Sequence, residues 1–433
     1  MRKHRIPLLL LVLFAQSGMA QTALTLEDAI RMGVQNNFQV QIERTNKQRP
    51  AILNNWGTAG MWPVININAL QGIASNSLQQ KLANGTVIER DGAILRNTNA
   101  GMAISWRIFD GMRMFATKKR LEELERNGEL VFRRQINTSV FEIIGAFQLL
   151  LQLEQQKKSL QESLKLFQER SQIAEGRFKI GSASKTEWLQ AQTDVQTQLS
   201  NLMDLNNNEN QVKTNLNHLL GIDPEKSITI SGTIQPDTTL RYESIREKVL
   251  TGNYDLLLAQ SELSILFQNK REVLSQRLPA VTLNGNYNFS QNKNDAGFTL
   301  FSRNNGPNAS VGVTIPLFNG GNNMRQQQIA DVSIRSQQIT IDGLKNQLKR
   351  DLLNSYNTYK NALQQAALEK QTLKLIEENH LIAVERFKKL NITSIELRQI
   401  QLDLINSQTR YYGALFIARM AEAEMKLLAG MLE

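Results

Sequence analysis

Residues 177–194 read RFKIGSASKTEWLQAQTD, and residues 386–403 read RFKKLNITSIELRQIQLD. The two stretches align without a gap: Arg177 with Arg386, Phe178 with Phe387, Glu187 with Glu396, Gln190 with Gln399 and Asp194 with Asp403, all 209 positions apart. The same spacing holds upstream for FDG at 109–111 and FNG at 318–320, and downstream for LLG at 219–221 and LAG at 428–430. Nearer the start it widens to 216, where NF at 37–38 meets NY at 253–254 and MWPVI at 61–65 meets RLPAV at 277–281. The difference falls between the proline and the FDG or FNG segment, where a surface loop tolerates a change of length. A period this long is far beyond the roughly 20–50 residues of a solenoid repeat. It is a duplicated, domain-sized unit. The chain divides into a first repeat at 21–221, a connector at 222–239 and a second repeat at 240–433.

The first 20 residues have another purpose. MRKHR is basic, IPLLLLVLF is apolar and short, and AQSGMA ends in small residues, the pattern of a secretory signal peptide cut after Ala20. The apolar run is shorter than the ~20 residues of a membrane-spanning helix, and the sequence reading finds no such helix later. The protein is expected to be exported. It has no Cys, so it carries neither a disulfide nor a lipid-anchoring cysteine at the cleavage point. Its three His are His4, His218 and His380, too few and too scattered for a metal centre. The net charge of +10 is distributed along the chain beside many Glu, which reads as solvated helix faces and not as a nucleic-acid surface.

Between about 116 and 176, and again between about 324 and 387, there is no Pro and very little Gly. Apolar or aromatic residues fall at 341, 344, 348, 352, 356, 359, 363 and 366, the helical period. Helices of about 60 residues are ~90 Å long, a length used by coiled coils and fibrous assemblies rather than by compact domains. Each then turns back at KIGSASKTE or KLNITSIE. Ser184 with Glu187, and Thr393 with Glu396, have the spacing of a capping box, so each repeated passage is the tip of a long helical hairpin.

Other segments alternate with period two. Leu283, Gly285, Tyr287 and Phe289 share one face, and Ala309, Val311, Val313, Ile315 and Leu317 share another. In the first repeat Ile65, Ile67 and Ala69, and then Met102, Ile104, Trp106 and Ile108, alternate with small or polar residues. These are four strands, about as long as a tilted membrane strand needs. Long polar loops are expected at roughly 75–95 and 290–307. Trp62, Trp106, Phe109 and Phe318 cluster at the opposite ends, as in the aromatic girdles of outer-membrane barrels. Tyr287, Val311, Val313 and Ile315 are then candidates for lipid contact. Lipid tolerates no open sheet edge, and four strands are too few to close a barrel, since known ones begin at about eight. The chain must oligomerise to close its sheet: three copies bring twelve strands, two the minimum barrel with little lumen.

Signal peptide, duplication, strand-to-helix junctions FDG and FNG, and hairpin tips together resemble the TolC family of outer membrane efflux proteins, over essentially the whole mature chain. The resemblance implies an α+β membrane protein: long antiparallel helical hairpins forming an α-barrel, joined to a transmembrane β-barrel with four strands per chain and closed by trimerisation. It implies a Gram-negative outer membrane location with a tunnel across the periplasm, drug efflux, metal export or type I secretion as the task, and no cofactor. The implied partners are a periplasmic adaptor (membrane fusion) protein, an inner-membrane pump of the RND, MFS or ABC type, and outer membrane lipid. The family's acidic entrance positions correspond to Glu396 and Gln399, of which only Glu396 is acidic. Its inter-hairpin links correspond to Thr186 and Glu187 on one side, and to Phe387 and Ile392 on the other, where neither side chain can make the matching hydrogen bond. Apolar packing is therefore expected to replace those links.

Against an enzyme stands the absence of a nucleophile elbow, phosphate loop or metal spacing. The alternative is an exported structural or adhesive coiled-coil protein without channel activity, which the four alternating strands disfavour. A stand-alone porin would not need helices of this length.

Overall fold

The computed structural model describes residues 23–389 and 391–432. The signal-peptide segment lies outside them. Short helices α1 (Leu26–Asn36), α2 (Phe38–Asn46) and α3 (Gln48–Leu53) lead into strands β1 (Val64–Lys81) and β2 (Val87–Asp110). The hairpin of α4 (Arg113–Lys179) and α5 (Lys185–Leu219) comes next. The second repeat runs α6 (Tyr242–Gly252), α7 (Tyr254–Ser275), β3 (Ala280–Asn294), β4 (Phe301–Thr314), α8 (Asn322–Lys388) and α9 (Ser394–Leu428). Helices α4 and α8 each have 67 residues, so each is about 100 Å long. Contrary to the expectation of no such helix after the signal peptide, α4 contains a stretch long and apolar enough to cross a membrane. Most of it is buried inside the chain, which makes it core.

The duplication extends to the core. Around mid-α4, Ala29, Ile143, Phe147, Leu150, Leu216 and Leu220 are buried together. Around mid-α8, Ile245, Leu352, Tyr359, Met425 and Ala429 are buried together at the corresponding repeat positions. The bend before α2 and α7 is built the same way twice. Asn37 donates to the Leu219 carbonyl at 2.9 Å, and Asn253 to the Leu428 carbonyl at 3.0 Å. Each Asn also caps the helix immediately after it. One difference is Pro50 in α3: it has no N–H to donate and crowds the preceding turn, so α2 and α3 stay separate where α7 runs unbroken. Between α5 and α6 the chain crosses the middle of the helices without helical structure. Leu24 pairs there with Ile230, Ile230 and Ile234 enter the first core, and the buried Glu422 accepts from the Asp237 N–H at 2.9 Å.

All four strands form one antiparallel sheet in the order β1-β2-β3-β4, with β1 and β4 as free edges. They are longer than expected. The polar segments read as loops mostly pair, because alternating Asn, Gln and Ser satisfy a ladder as well as apolar residues do; only 82–86 and 295–300 connect the strands. At the other end the expectation ran too far. Ile315 and Phe318 lie beyond β4, in an irregular stretch, where Pro316 cannot donate to a ladder.

Candidate functional site: hairpin tips and sheet faces

The tips of the two hairpins meet. Thr393 caps α9 as a complete capping box: the Glu396 N–H donates to Thr393 Oγ1 at 3.2 Å, and the Thr393 N–H donates to the Glu396 carboxylate at 3.0 Å. The first hairpin has half of that arrangement. Ser184 accepts from the Glu187 N–H at 3.2 Å, but the Glu187 carboxylate turns to Arg177 at 3.4 Å. Glu396, Gln399 and Thr186 are exposed, whereas Glu187 is half-buried. Gln399 donates to Asp403 at 2.9 Å.

Apolar packing is present in both tips. Phe178 stacks on Trp188 with ring centroids 5.5 Å apart. The repeat equivalents, Phe387 and Leu397, are buried with Ala383, and Ile392 and Ile173 of α4 pack against them. The second tip thus rests on the first hairpin through hydrocarbon contact.

A charged link accompanies it at positions the sequence reading did not consider. Asp194 of α5 is buried and receives Arg398 of α9 at 3.0 Å, Gln190 at 3.0 Å, and the guanidinium of Arg170 on α4. Arg170 is 2% exposed, lies over the Phe167 ring, and leaves its Nε and one Nη without partners. Burial pulls its pKa below the ordinary arginine value, against the opposing attraction of Asp194. One carboxylate therefore holds two guanidiniums from two helices in different repeats. A cavity of about 750 Å³ opens beside it, lined by Arg177, Glu187, Asp194, Glu396 and Arg398 among others. The signal for this link was in the repeat comparison, read for differences. Gln190 and Asp194 recur as Gln399 and Asp403, but Arg170 becomes Asn379 and Arg398 corresponds to Leu189. Only one of the two equivalent aspartates acquires arginines.

Elsewhere the long helices are clamped at intervals. Glu209 of α5 binds Lys157 of α4 at 2.7 Å. Burial alone would raise the Glu209 pKa, but hydrogen bonds from Lys157 and Lys213 outweigh it and hold it below the usual carboxylate value.

At the far end, register aligns the faces of all four strands. Ile65 pairs with Ile104, Ile104 with Gly285, and Gly285 with Ala309; Ile67, Met102, Tyr287 and Pro307 form the next row. Val311 pairs with Leu283 and Val313 with Val281 on the same face. The opposite face carries Asn66, Ala103, Asn286 and Asn308, then Asn68, Gly101, Asn288 and Gly306. Tyr287, Val311 and Val313 are exposed. Trp106 and Phe109 belong to the apolar face through their pairing with Leu283 and Val281. Trp62 precedes β1, and Phe318 lies after β4 at 87% exposure. The Trp106 indole N–H donates to the Met61 carbonyl at 2.8 Å, tying the β1 entry to β2.

A long-helix body that continues into a sheet with one apolar and one Asn-rich face is the architecture of an outer-membrane channel protein. Residues 55–222 and 245–430 match the family model for outer membrane efflux proteins, and the chain belongs to that family, whose members are outer membrane channels reaching into the periplasm. Solved channels share the fold. CmeC of Campylobacter jejuni superimposes with a TM-score of 0.81 at 12% identity, covering 94% of this chain and 85% of that one. VceC of Vibrio cholerae does so at 0.73 and 15% identity, covering 94% and 96%. A toxin and drug export protein of Aggregatibacter actinomycetemcomitans is 27% identical over 161 residues, which is 36% of this chain and about a third, 34%, of that protein.

Proposed function

We infer that three copies of this chain close into one export conduit. The observation that carries this reading is the sheet: four strands with a continuous apolar face and two unpaired edges. Unpaired backbone groups in lipid cost several kcal/mol each, so β4 of one copy must meet β1 of the next. A threefold ring gives a twelve-stranded barrel with the Asn-rich face inside, and Tyr287, Val311 and Val313 against lipid. Trp62, Trp106, Phe109 and Phe318 then lie at its periplasmic rim.

Below, the helices form the periplasmic tunnel, and the hairpin tips are its entrance. Asp194 with Arg398, and Phe387 with Ile392, hold the second tip against the first. Glu396, from an exposed position just past the second turn, contributes one carboxylate per copy to the entrance, with Gln399 a turn further on and Thr186 and Glu187 on the companion hairpin. A periplasmic adaptor and an inner-membrane pump deliver cargo there.

Native mass spectrometry of detergent-extracted protein tests the assembly, and conductance in planar bilayers tests the channel. A stable monomer, or a trimer with no conductance in any variant weakened at the tips, would refute the reading.

A further inference from the structure

The apolar face of the sheet ends abruptly, and the charged side chains of the next two rows are all basic. Ala69, Ala100 and Phe289 form its last largely apolar row. One row further on, Gln71, Thr98, Gln291 and Arg303 align, and in the next row Ile73, Arg96, Lys293 and Phe301. No register shift intervenes, so Arg96, Lys293 and Arg303 point to the same side as Ile104, Tyr287 and Val311. From the Ile65–Ile104 row to the Ile73–Arg96–Lys293 row they are the charged residues of that face, and all three are basic; Asp295 follows beyond it. The opposite face at the same height is neutral: Gly72, Asn97, Asn292 and Ser302.

All three are exposed, and among the described residues no carboxylate pairs with them. Arg303 is held in place. Its guanidinium carbon is 5.8 Å from the Phe289 ring centroid and 5.7 Å from that of Phe301, and it donates to Gln291 at 3.1 Å. Aromatic rings at the boundary of an apolar band mark an interface. An arginine between two of them is ordered while its remaining N–H groups stay free. Height agrees. From Val281 to Lys293 the strand rises ~40 Å at ~3.3 Å per residue, or ~30 Å normal to the membrane at a tilt of ~40°. That carries Arg96 and Lys293 just past the hydrocarbon, to the depth of lipid headgroups.

We propose that Arg96, Lys293 and Arg303 form a binding site on the outer wall of the barrel for the phosphate groups of an outer-leaflet glycolipid. The inference rests on the assignment of the apolar face to lipid. Guanidinium groups chelate phosphate through paired N–H donors, and lysine adds a point charge. Continuity with the apolar band selects a lipid over free phosphate: with the headgroup on the basic rows, the acyl chains lie along Phe289, Tyr287 and Val311. In the closed trimer the site recurs on every copy, giving the channel a belt of anchored lipid.

The test uses the full-length trimer. Native mass spectrometry measures binding of a phosphorylated glycolipid, its dephosphorylated form and a zwitterionic phospholipid, with inorganic phosphate as competitor. Wild type should prefer the phosphorylated form, and millimolar inorganic phosphate should not displace it. The triple variant Arg96→Gln, Lys293→Gln, Arg303→Gln should bind it about 100-fold more weakly, at about a fivefold loss per cation. Restoring net charge on the other face with Asn97→Arg, Asn292→Lys and Ser302→Arg should not rescue binding. Equal binding by wild type and triple variant, equal binding of both glycolipid forms, displacement by free phosphate, or rescue from the opposite face would each overturn the proposal. Should the triple variant fail to assemble, Arg96→Gln alone must still weaken the phosphorylated lipid selectively. Failure of the lipid-face assignment has its own signature: Val313→Arg would then insert as wild type does.

Discussion

Arg398 on α9 places its Nε 3.0 Å from the carboxylate of Asp194 on α5, and these two helices belong to different repeats. The same carboxylate neutralises Arg170, which is almost completely buried, whereas the Arg398 side chain is 39% exposed. The two arginines therefore have unequal consequences. Asp194→Ala leaves Arg170 buried and unpaired and should destabilise the protein by about 3–5 kcal/mol. Arg398→Ala removes a partly exposed ion pair and should cost no more than about 1 kcal/mol, yet it frees the second tip and should raise bilayer conductance. Melting curves and single-channel recordings on both variants check this; the opposite ranking in stability would refute it.

Glu396 has two attachments, its helix cap and its charge, which Gln separates. Glu396→Gln preserves the hydrogen bonding of the capping box and should leave the melting temperature unchanged while lowering cation selectivity. Glu187→Gln is the control, since that carboxylate is engaged by Arg177. Reversal potentials in asymmetric salt read the result, and identical, wild-type-like selectivity in both variants would remove Glu396 from the entrance.

Val313 and Thr314 are neighbours on opposite faces of β4, paired with Val281 and Ala280. Val313→Arg should cost about 2–4 kcal/mol and reduce insertion if near the bilayer midplane, less toward its edge. Thr314→Arg should assemble normally. Heat-modifiable migration of outer-membrane fractions distinguishes them.

Met112 has φ 72°, the one non-glycine residue with positive φ among those described. Its repeat equivalent is Gly321, φ 74°. Left-handed backbone costs a side-chain-bearing residue about 1–2 kcal/mol, so Met112→Gly should stabilise the strand-to-helix junction by up to about 1 kcal/mol after the entropy that glycine adds to the unfolded chain. Gly111→Ala should do the reverse, because a Cβ there would lie 2.4 Å from the Ser275 carbonyl oxygen. Thermal midpoints test both signs.

Burial holds the His380 pKa below its ordinary value. The unfolded chain takes up a proton near pH 6.5, and the folded chain only at lower pH. Stability is therefore full above the unfolded value and falls as pH drops from it toward the folded value. His380→Gln should lose less melting temperature than wild type between about pH 7.5 and pH 5.5; equal losses would show that the ring does not contribute.

Repetition and periodicity made the helices, hairpin tips and sheet faces legible, because each shows itself in local spacing. The strand ends were not, because Asn and Gln serve a ladder and a loop equally well; nothing local distinguishes Asn97 in β2 from Asn84 in a turn. The Asp194 link was hidden for another reason. Its partners are 24 and 204 residues away, and resemblance between the repeats conceals chemistry that lies in their divergence.

Because β1 continues for 18 residues and β2 for 24, the ladder outlasts the membrane. β1 alone rises ~45 Å when tilted, well above an apolar band of ~25 Å. What the cell exposes is thus a stiff, hydrogen-bonded collar with short tips at 82–86 and 295–300, not a fringe of loops. Proteases and antibodies meet few extended segments there, and an inserted tag has two places to go without unzipping a strand pair.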